Sequence, residues 1–293
     1  MIRRPPAGSI ASAARGRRLA LSMVVSAAAL LAGAAEPLRL HWADDYLTIS
    51  AADLPGESIA IHYLEAYCRA GSTDADWVTH TVVGHRTELV EAASDGTLVR
   101  LRDRVADGLE VTHEIRATDD EVRIAIVAHN PTARRSVAHW AQPCIRLDRF
   151  TGTDQEGYLA KSFVFLDGVP SRFPTRDWAL HARYTPGQVW CPRGVDRNDV
   201  NPRPLSPLVP SNGLIGCYSA DDSRIFAVAF EPYQELFQGV AVCLHSDFRL
   251  GGIEPGGTLA IKGRMYIASD MDDLLQRYAA DFPEQAHEGR ADR

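Results

Sequence analysis

The sequence has no Cys-x-x-Cys pair, no apolar run long enough to cross a bilayer, and no alternation of strands with helices. Each absence excludes something. Without Cys-x-x-Cys there is no local zinc motif, and neither a metal nor an organic cofactor is expected. The five cysteines are Cys68, Cys144, Cys191, Cys217 and Cys243. Three sit in apolar runs ("QPCIRL", "LIGCYS", "AVCLH") and read as buried, inert thiols. One disulfide fits an oxidising compartment, and the odd count leaves a thiol over. The long apolar run nearest the start, Leu19–Leu31, has 13 residues, against the ~20 that a spanning helix needs. It follows Arg3, Arg4, Arg15, Arg17 and Arg18 and precedes Ala32-Gly33-Ala34, the order of an export signal over residues 1–34. The mature chain is therefore expected in the periplasm or outside the cell, with no integral membrane segment. Arg17-Arg18 fits a twin-arginine signal, but Ala20 stands where a bulky apolar residue belongs, so general secretion serves equally well. Residues 1–34 carry five arginines and no acid; the remainder has 26 basic and 38 acidic residues, a net charge of −12. No basic stripe remains to attract a nucleic acid or an anionic membrane.

What is present is β-structure. "DGLEVTHEIRA" sets Leu109, Val111, His113 and Ile115 on one face, and "EVRIAIVAHN" does the same with Val122, Ile124, Ile126 and Ala128. Thr118-Asp119-Asp120 between them reads as a hairpin turn. Similar runs ("DYLTIS", "SIAIHYL", "WVTHTVV", "GTLVRLR", "SRIFAVAF", "GVAVCLHSDF", "TLAIKGRMYIA") bring the count to about a dozen. The expectation is an all-β antiparallel sandwich over residues 35–283. It ends in one short helix capped by Ser269, with Leu274, Leu275 and Tyr278 on its apolar face. Residues 284–293 read as a frayed polar tail.

Residues 170–212 hold eight of the 17 prolines, together with Trp178, His181, Arg183, Tyr184 and Trp190. A structureless segment of this length in a compact domain commonly binds something. Trp and Tyr faces stack on sugar rings, and the planar fork of Arg183 suits a uronic-acid carboxylate. Within it, residues 176–200 are expected to cover one end of the sandwich and wall a cleft beside Glu231, where the run Ile225–Phe230 ends in Glu231-Pro232. A carboxylate at the end of a strand is rigidly held, as a general base must be, and the proline ends ladder pairing.

"EPYQ" at a strand end, "GGIEPGG" after the next strand and a final strand "GRMYIA" resemble the C-terminal part of aldose 1-epimerases. "HNPTARRSVAHWAQPCIRL" resembles the strand–turn–strand that carries the catalytic histidine of that family. The resemblance spans roughly residues 78–268 and implies the galactose-mutarotase-like β-supersandwich. It puts Glu231 on the base, Gln234 on a substrate-binding glutamine and Pro255-Gly256 on a turn. Gln142 falls on the catalytic histidine; a glutamine can bond a sugar oxygen but cannot deliver a full proton near neutrality. His139 and Trp140 stand just before it, and His80 and His85 lie near the place of an upstream histidine. Polysaccharide lyases add a helical toroid to this sandwich, for which the chain has no room.

The resulting expectation is a protein that acts on mono-, oligo- or polysaccharide by acid–base chemistry at a sugar ring. Glu231 is the base, His80, His85 or His245 the acid, and Trp140, Gln142, His139, His181, Arg183, Tyr184, Trp190 and Gln234 bind the sugar. A non-catalytic glycan-binding module is the alternative. A metal-dependent hydrolase is the third, resting on His245 and Asp247 of "CLHSDF" and on the oxygen-rich loop of Asp196, Asn198, Asp199 and Asn201. That loop lacks the glycine and distal glutamate of a calcium loop. His62 and Glu65, three apart, are expected on opposite faces of a strand.

Overall fold

The alternation in residues 107–129 is realised strand by strand. Leu109, Val111, His113 and Ile115 are buried, as are Val122, Ile124, Ile126 and Ala128, and residues 118–120 turn between them. The computed structural model describes residues 36–71, 76–154, 157–173, 189–200, 205–239 and 241–288. Its described strands form two sheets. The first runs in the order β1 (Arg39–Ala43), β2 (Tyr46–Ser50), β3 (Ser58–Arg69), β9 (Ala138–Arg146), β16 (Cys243–Arg249), β15 (Tyr233–Gln238) and β12 (Val189–Trp190); β4 (Val82–Val83) also pairs with β3. The second runs β11 (Val169–Arg172), β10 (Ser162–Leu166), β13 (Ile215–Tyr218), β14 (Ile225–Glu231), β17 (Thr258–Ala268), β8 (Glu121–His129), β7 (Glu110–Ala117), β6 (Leu98–Val105) and β5 (His85–Ala92). Every pairing between these strands is antiparallel.

The sheets pack face to face over one apolar core, in which Phe230 of β14 meets Phe248 of β16 with ring centroids 5.4 Å apart. Because successive strand residues alternate faces, this contact fixes the direction of their neighbours. Leu244 and Phe248 point into the core, so Cys243, His245 and Asp247 point away from it, out of the first sheet. By the same rule Glu231, next to Phe230, points out of the second. The chain crosses from one sheet to the other at Glu231–Pro232, a cis peptide bond.

Three local expectations change. Trp77–Thr81, expected as a strand, is a π-helical turn, because the Asp76 side chain accepts from the N–H and the hydroxyl of Thr79. Such short side-chain bonds compete with a strand ladder. Leu64 adopts φ +62° and the β3–β9 register shifts between His62 and Ala66. This bulge breaks the alternation, so His62 and Glu65 both end on the outer face. The described part of the tail is helical: after the short α1 (Asp148–Thr151) and α2 (Gly157–Lys161), α4 (Pro283–Glu288) follows α3 (Met271–Asp281), and Gln285 is held by the Tyr278 hydroxyl and the Phe230 carbonyl.

The cap of α3 is Asp270, one residue beyond Ser269. Its carboxylate accepts from Asp273 N–H while Asp273 accepts from Ser269 N–H, at 2.9 Å each. Asp270→Ala is expected to cost about 1 kcal/mol, readable as a lowered thermal midpoint.

Candidate functional site

The strand registers assemble a polar layer on the outer face of the first sheet. Leu244↔Ile145 and Phe248↔Ala141 between β16 and β9 set Asp247 opposite Gln142 and His245 opposite Cys144. The β15–β16 register sets Glu235 opposite Asp247 and Phe237 opposite His245, and Gln142 stands opposite Ala66. Across three adjacent strands this gives one row of Gln142, Asp247 and Glu235, which Glu65, next to Ala66 on β3, extends through its contact with Gln142. A second row holds Cys68, Trp140, Arg249 and Gln234, and a third His62, Cys144, His245 and Phe237.

The central row is closed to solvent except at its end, where Glu65 is half-buried. Asp247 and Glu235 are 0% exposed and Gln142 3%. Gln142 Nε2 donates to Glu65 Oε2 at 2.9 Å. Burial pushes the Cys68 thiol up, and the negative charges of Asp247, Glu235, Glu65 and Asp199 push it further. Trp140 is fully buried, and its Nε1–H makes no hydrogen bond among the described residues.

Residues 189–200 cover this layer, with Val189, Cys191, Val195 and Val200 packed on Phe237. Asp199 ties the cover down. Its carboxylate lies 2.9 Å from His139 Nδ1 and 3.5 Å from Arg249 Nη1, and accepts from Gly71 N–H. Its carbonyl accepts from Gln234 Nε2, and Gln234 Oε1 accepts from Arg249.

The expected site residues divide sharply. Gln142, Trp140, Gln234 and His245 share the outer face of the first sheet, with His139 beside them. Trp190 is buried on β12, its ring centroid 4.9 Å from that of Phe173. His181, Arg183, Tyr184 and Trp178 lie outside the described residues.

Glu231 does not join them. It projects from the outer face of the second sheet, 3.1 Å from Lys262 Nζ, in an open groove of about 560 Å³ that Glu114, Arg116, Arg123 and Arg264 also line. The expectation that it shares a cleft with a histidine, walled by residues 176–200, is therefore corrected. The strand changes sheet directly after Glu231, and the described part of the wall lies over the other face. His80 is exposed on the π-helical turn. His85 begins β5 of the second sheet, edge-on to Tyr67 at 5.0 Å, where desolvation lowers its pKa.

His245 is 2% exposed and stacked on Phe237, with 4.0 Å between centroids and 10° between planes. Its Nε2 faces Cys243 Sγ at 3.4 Å and its Nδ1 lies 3.9 Å from Asp247 Oδ1. The hydrogen bond with Cys144 and the proximity of His245 hold the Cys243 thiol well below its usual range; Cys144 is raised in turn. All five cysteines are buried and unpaired. The oxygen-rich loop does not converge as a metal site, since Asp196 accepts from Asn198 while Asp199 is committed to His139 and Gly71; Asn201 lies outside the described residues.

Sequence reasoning passed over Glu235, Asp247 as its neighbour, and the thiol pair beside His245. The signal was there for the first: after a change of sheet at Pro232, the next carboxylate in "EPYQELFQ" is the one that stands opposite Asp247.

No protein-family model matches the chain, and no curated protein does. Solved structures similar to it include a protein from Synechocystis sp. PCC 6803, 12% identical, covering 80% of this chain and 96% of that one at a TM-score of 0.42. A putative aldose 1-epimerase from Escherichia coli K12 is 10% identical, with 80% and 99% covered and a TM-score of 0.43. A putative mutarotase from Salmonella typhimurium is 10% identical, with 80% and 94% covered and a TM-score of 0.35. The likeness is to mutarotase-like structures.

Proposed function

We propose that this protein acts on carbohydrate by acid–base chemistry on the outer face of its first sheet. The observation that carries the reading is the row Gln142–Asp247–Glu235, three polar side chains set by register across adjacent strands and shielded from water, with Glu65 bonded to Gln142 at its end. Two carboxylates on facing strands suit a reaction in which one withdraws a proton from a sugar hydroxyl and the other returns one. Glu235 is the base and Asp247 the acid. Gln142, braced by Glu65, bonds a ring substituent, and Trp140 offers its indole N–H and an apolar face. Glu231 has no part in the step. Nor is His245 the acid, because its two nitrogens face Cys243 and Asp247 and its ring is fixed against Phe237.

With the row buried, a sugar reaches it when the cover of residues 189–200 parts from Phe237. Turnover on a panel of aldoses, uronic acids and polysaccharides, followed by NMR, tests the reading. Trp140→Phe is expected to weaken binding of the active sugar by about tenfold, the loss of one hydrogen bond. A panel without turnover or binding would refute it.

The buried indole N–H of Trp140, which makes no hydrogen bond among the described residues, favours as second reading a non-catalytic glycan-binding module. Saturable binding without turnover is its mark. Export belongs to the proposal as well, on the arginine-rich start and the short apolar run. Intact mass of protein from the periplasm or medium should correspond to a chain beginning near Ala35; one beginning at Met1 contradicts it.

A further inference from the structure

One cluster lies beside the polar row and is not used by it. Among the described residues, one group of three potential ligands converges: Cys144, Cys243 and His245, with ligand atoms all within 4.8 Å of one another. Cys243 and His245 are two residues apart on one strand, while Cys144 is about a hundred positions away. Cys144 comes from β9, the other two from β16, and the register brings them together.

We propose that Cys144, Cys243 and His245 form a binding site for a thiophilic divalent cation, with zinc as its natural occupant. Two thiolates and an imidazole are a ligand set that zinc takes, with a fourth tetrahedral position left over. The spacing agrees. Zn–S of about 2.3 Å and Zn–N of about 2.0–2.1 Å in a tetrahedron put sulfur and nitrogen roughly 3.5 Å apart, and Cys243 Sγ and His245 Nε2 are 3.4 Å apart.

Three features around the ligands fit the same use. A metal-binding histidine commonly turns its other nitrogen to a carboxylate that orients the ring, and His245 Nδ1 looks toward Asp247. Phe237 stacks on the ring and fixes its plane. Gly239 leaves the space open: a Cβ there would lie 2.2 Å from Cys243 Sγ and 3.0 Å from His245 Nε2.

A disulfide is the competing use of two adjacent sulfurs, and the sheet disfavours it. Cys243 stands opposite Arg146, and Cys144 opposite His245, so the two cysteines are diagonal neighbours. Diagonal neighbours are about 7–8 Å apart at Cα, whereas a disulfide spans about 4.4–6.8 Å. The sulfurs can share a proton or an ion without moving the backbone; a covalent bond requires that movement. The inference does not depend on the carbohydrate reading, since it concerns binding alone.

Cobalt(II) titration of the folded, reduced, metal-stripped protein tests it, because thiolate-to-cobalt charge transfer reports sulfur ligands directly. The expected result is one equivalent bound, a charge-transfer band that zinc abolishes, and a rise in thermal midpoint with zinc. Cys144→Ser and Cys243→Ser should each diminish the band. His245→Gln should keep sulfur-to-cobalt absorption and weaken zinc binding by more than about tenfold, since loss of an outer partner alone costs 10–100-fold. If a variant fails to fold, alkylation of the wild-type protein in mild denaturant gives the same answer. Zinc should protect Cys144 and Cys243 and leave Cys68, Cys191 and Cys217 as internal controls. Absence of the band, a band unchanged in both serine variants, zinc protection spread over all five thiols, or an intact mass two hydrogens light from a Cys144–Cys243 disulfide would each overturn the proposal.

Discussion

Replacing Glu235 with glutamine is expected to lower turnover by ~100-fold or more while the fold is kept, and replacing Glu231 with glutamine is expected to leave turnover unchanged. The amide preserves the shape of the Glu235 side chain and its place opposite Asp247, but it cannot accept the proton of a sugar hydroxyl at the required strength. Glu231 by contrast forms a part-exposed ion pair with Lys262, an interaction that contributes under about 1 kcal/mol. Both variants should therefore fold, and the rates separate them. Equal losses at the two positions would remove the distinction between the faces, and a loss at Glu231 alone would return the base to the second sheet.

The largest expected effect on stability lies in the interior, away from the polar row. Asp103 on β6 is fully buried; its Oδ2 accepts from the Tyr67 hydroxyl at 2.5 Å and lies 2.9 Å from His113 Nε2. His113 Nδ1 is in turn 3.2 Å from the Tyr63 hydroxyl. Burial alone would raise the Asp103 carboxyl, but the charge and hydrogen bond of His113, with bonds from Tyr67 and Thr87, outweigh it and hold the pKa below the usual carboxylate range. Asp103→Ala leaves His113 and the Tyr67 phenol without their common partner, and should cost about 3 kcal/mol or more. The pH dependence follows from the sign of the shift. A depressed folded pKa stabilises fully above the unfolded value, near 3.9, and that contribution is lost as pH falls through the folded value. The gap in unfolding free energy between wild type and Asp103→Ala should therefore narrow on acidification below about pH 4, measured by denaturant titration at a series of pH values. A gap independent of pH would mean that Asp103 acts through packing alone. Tyr63 and Tyr67 are shifted up, by burial and then by Asp103, so what their neutral forms contribute is present below about pH 10 and lost above it.

Much of the fold was legible because alternation is a direct consequence of strand geometry. The faces of Leu109–Ile115 and Val122–Ala128, the hairpin between them and the α3 stripe of Leu274 and Tyr278 all follow from it. The failures have local causes. Asp76 bonds the backbone of Thr79 and winds Trp77–Thr81 into a turn, and Leu64 enters the left-handed region and reverses the face of Glu65. The site was less legible, since a row across adjacent strands depends on registers that no single stretch encodes. Gln142 and Trp140 could be singled out from "AHWAQP", and His245 from "CLHSDF". That Asp247 stands between Gln142 and Glu235, and that Cys144 meets Cys243, depends on pairing residues about a hundred positions apart. Glu231 misled because a strand-end carboxylate looks the same in sequence whichever sheet it leaves.

The central claim is that sugar binds over the first sheet and not in the groove of the second. Hydrogen–deuterium exchange, with and without the sugar that the panel identifies, tests it most directly, because slowed exchange maps occupancy onto backbone segments. Binding over the first sheet predicts protection of residues 189–200, of 139–144 on β9 and of 234–249 across β15 and β16, with β8 and the Lys262 region of β17 unchanged. Protection confined to 123–127 and 260–264, the strands around Glu231, would contradict it.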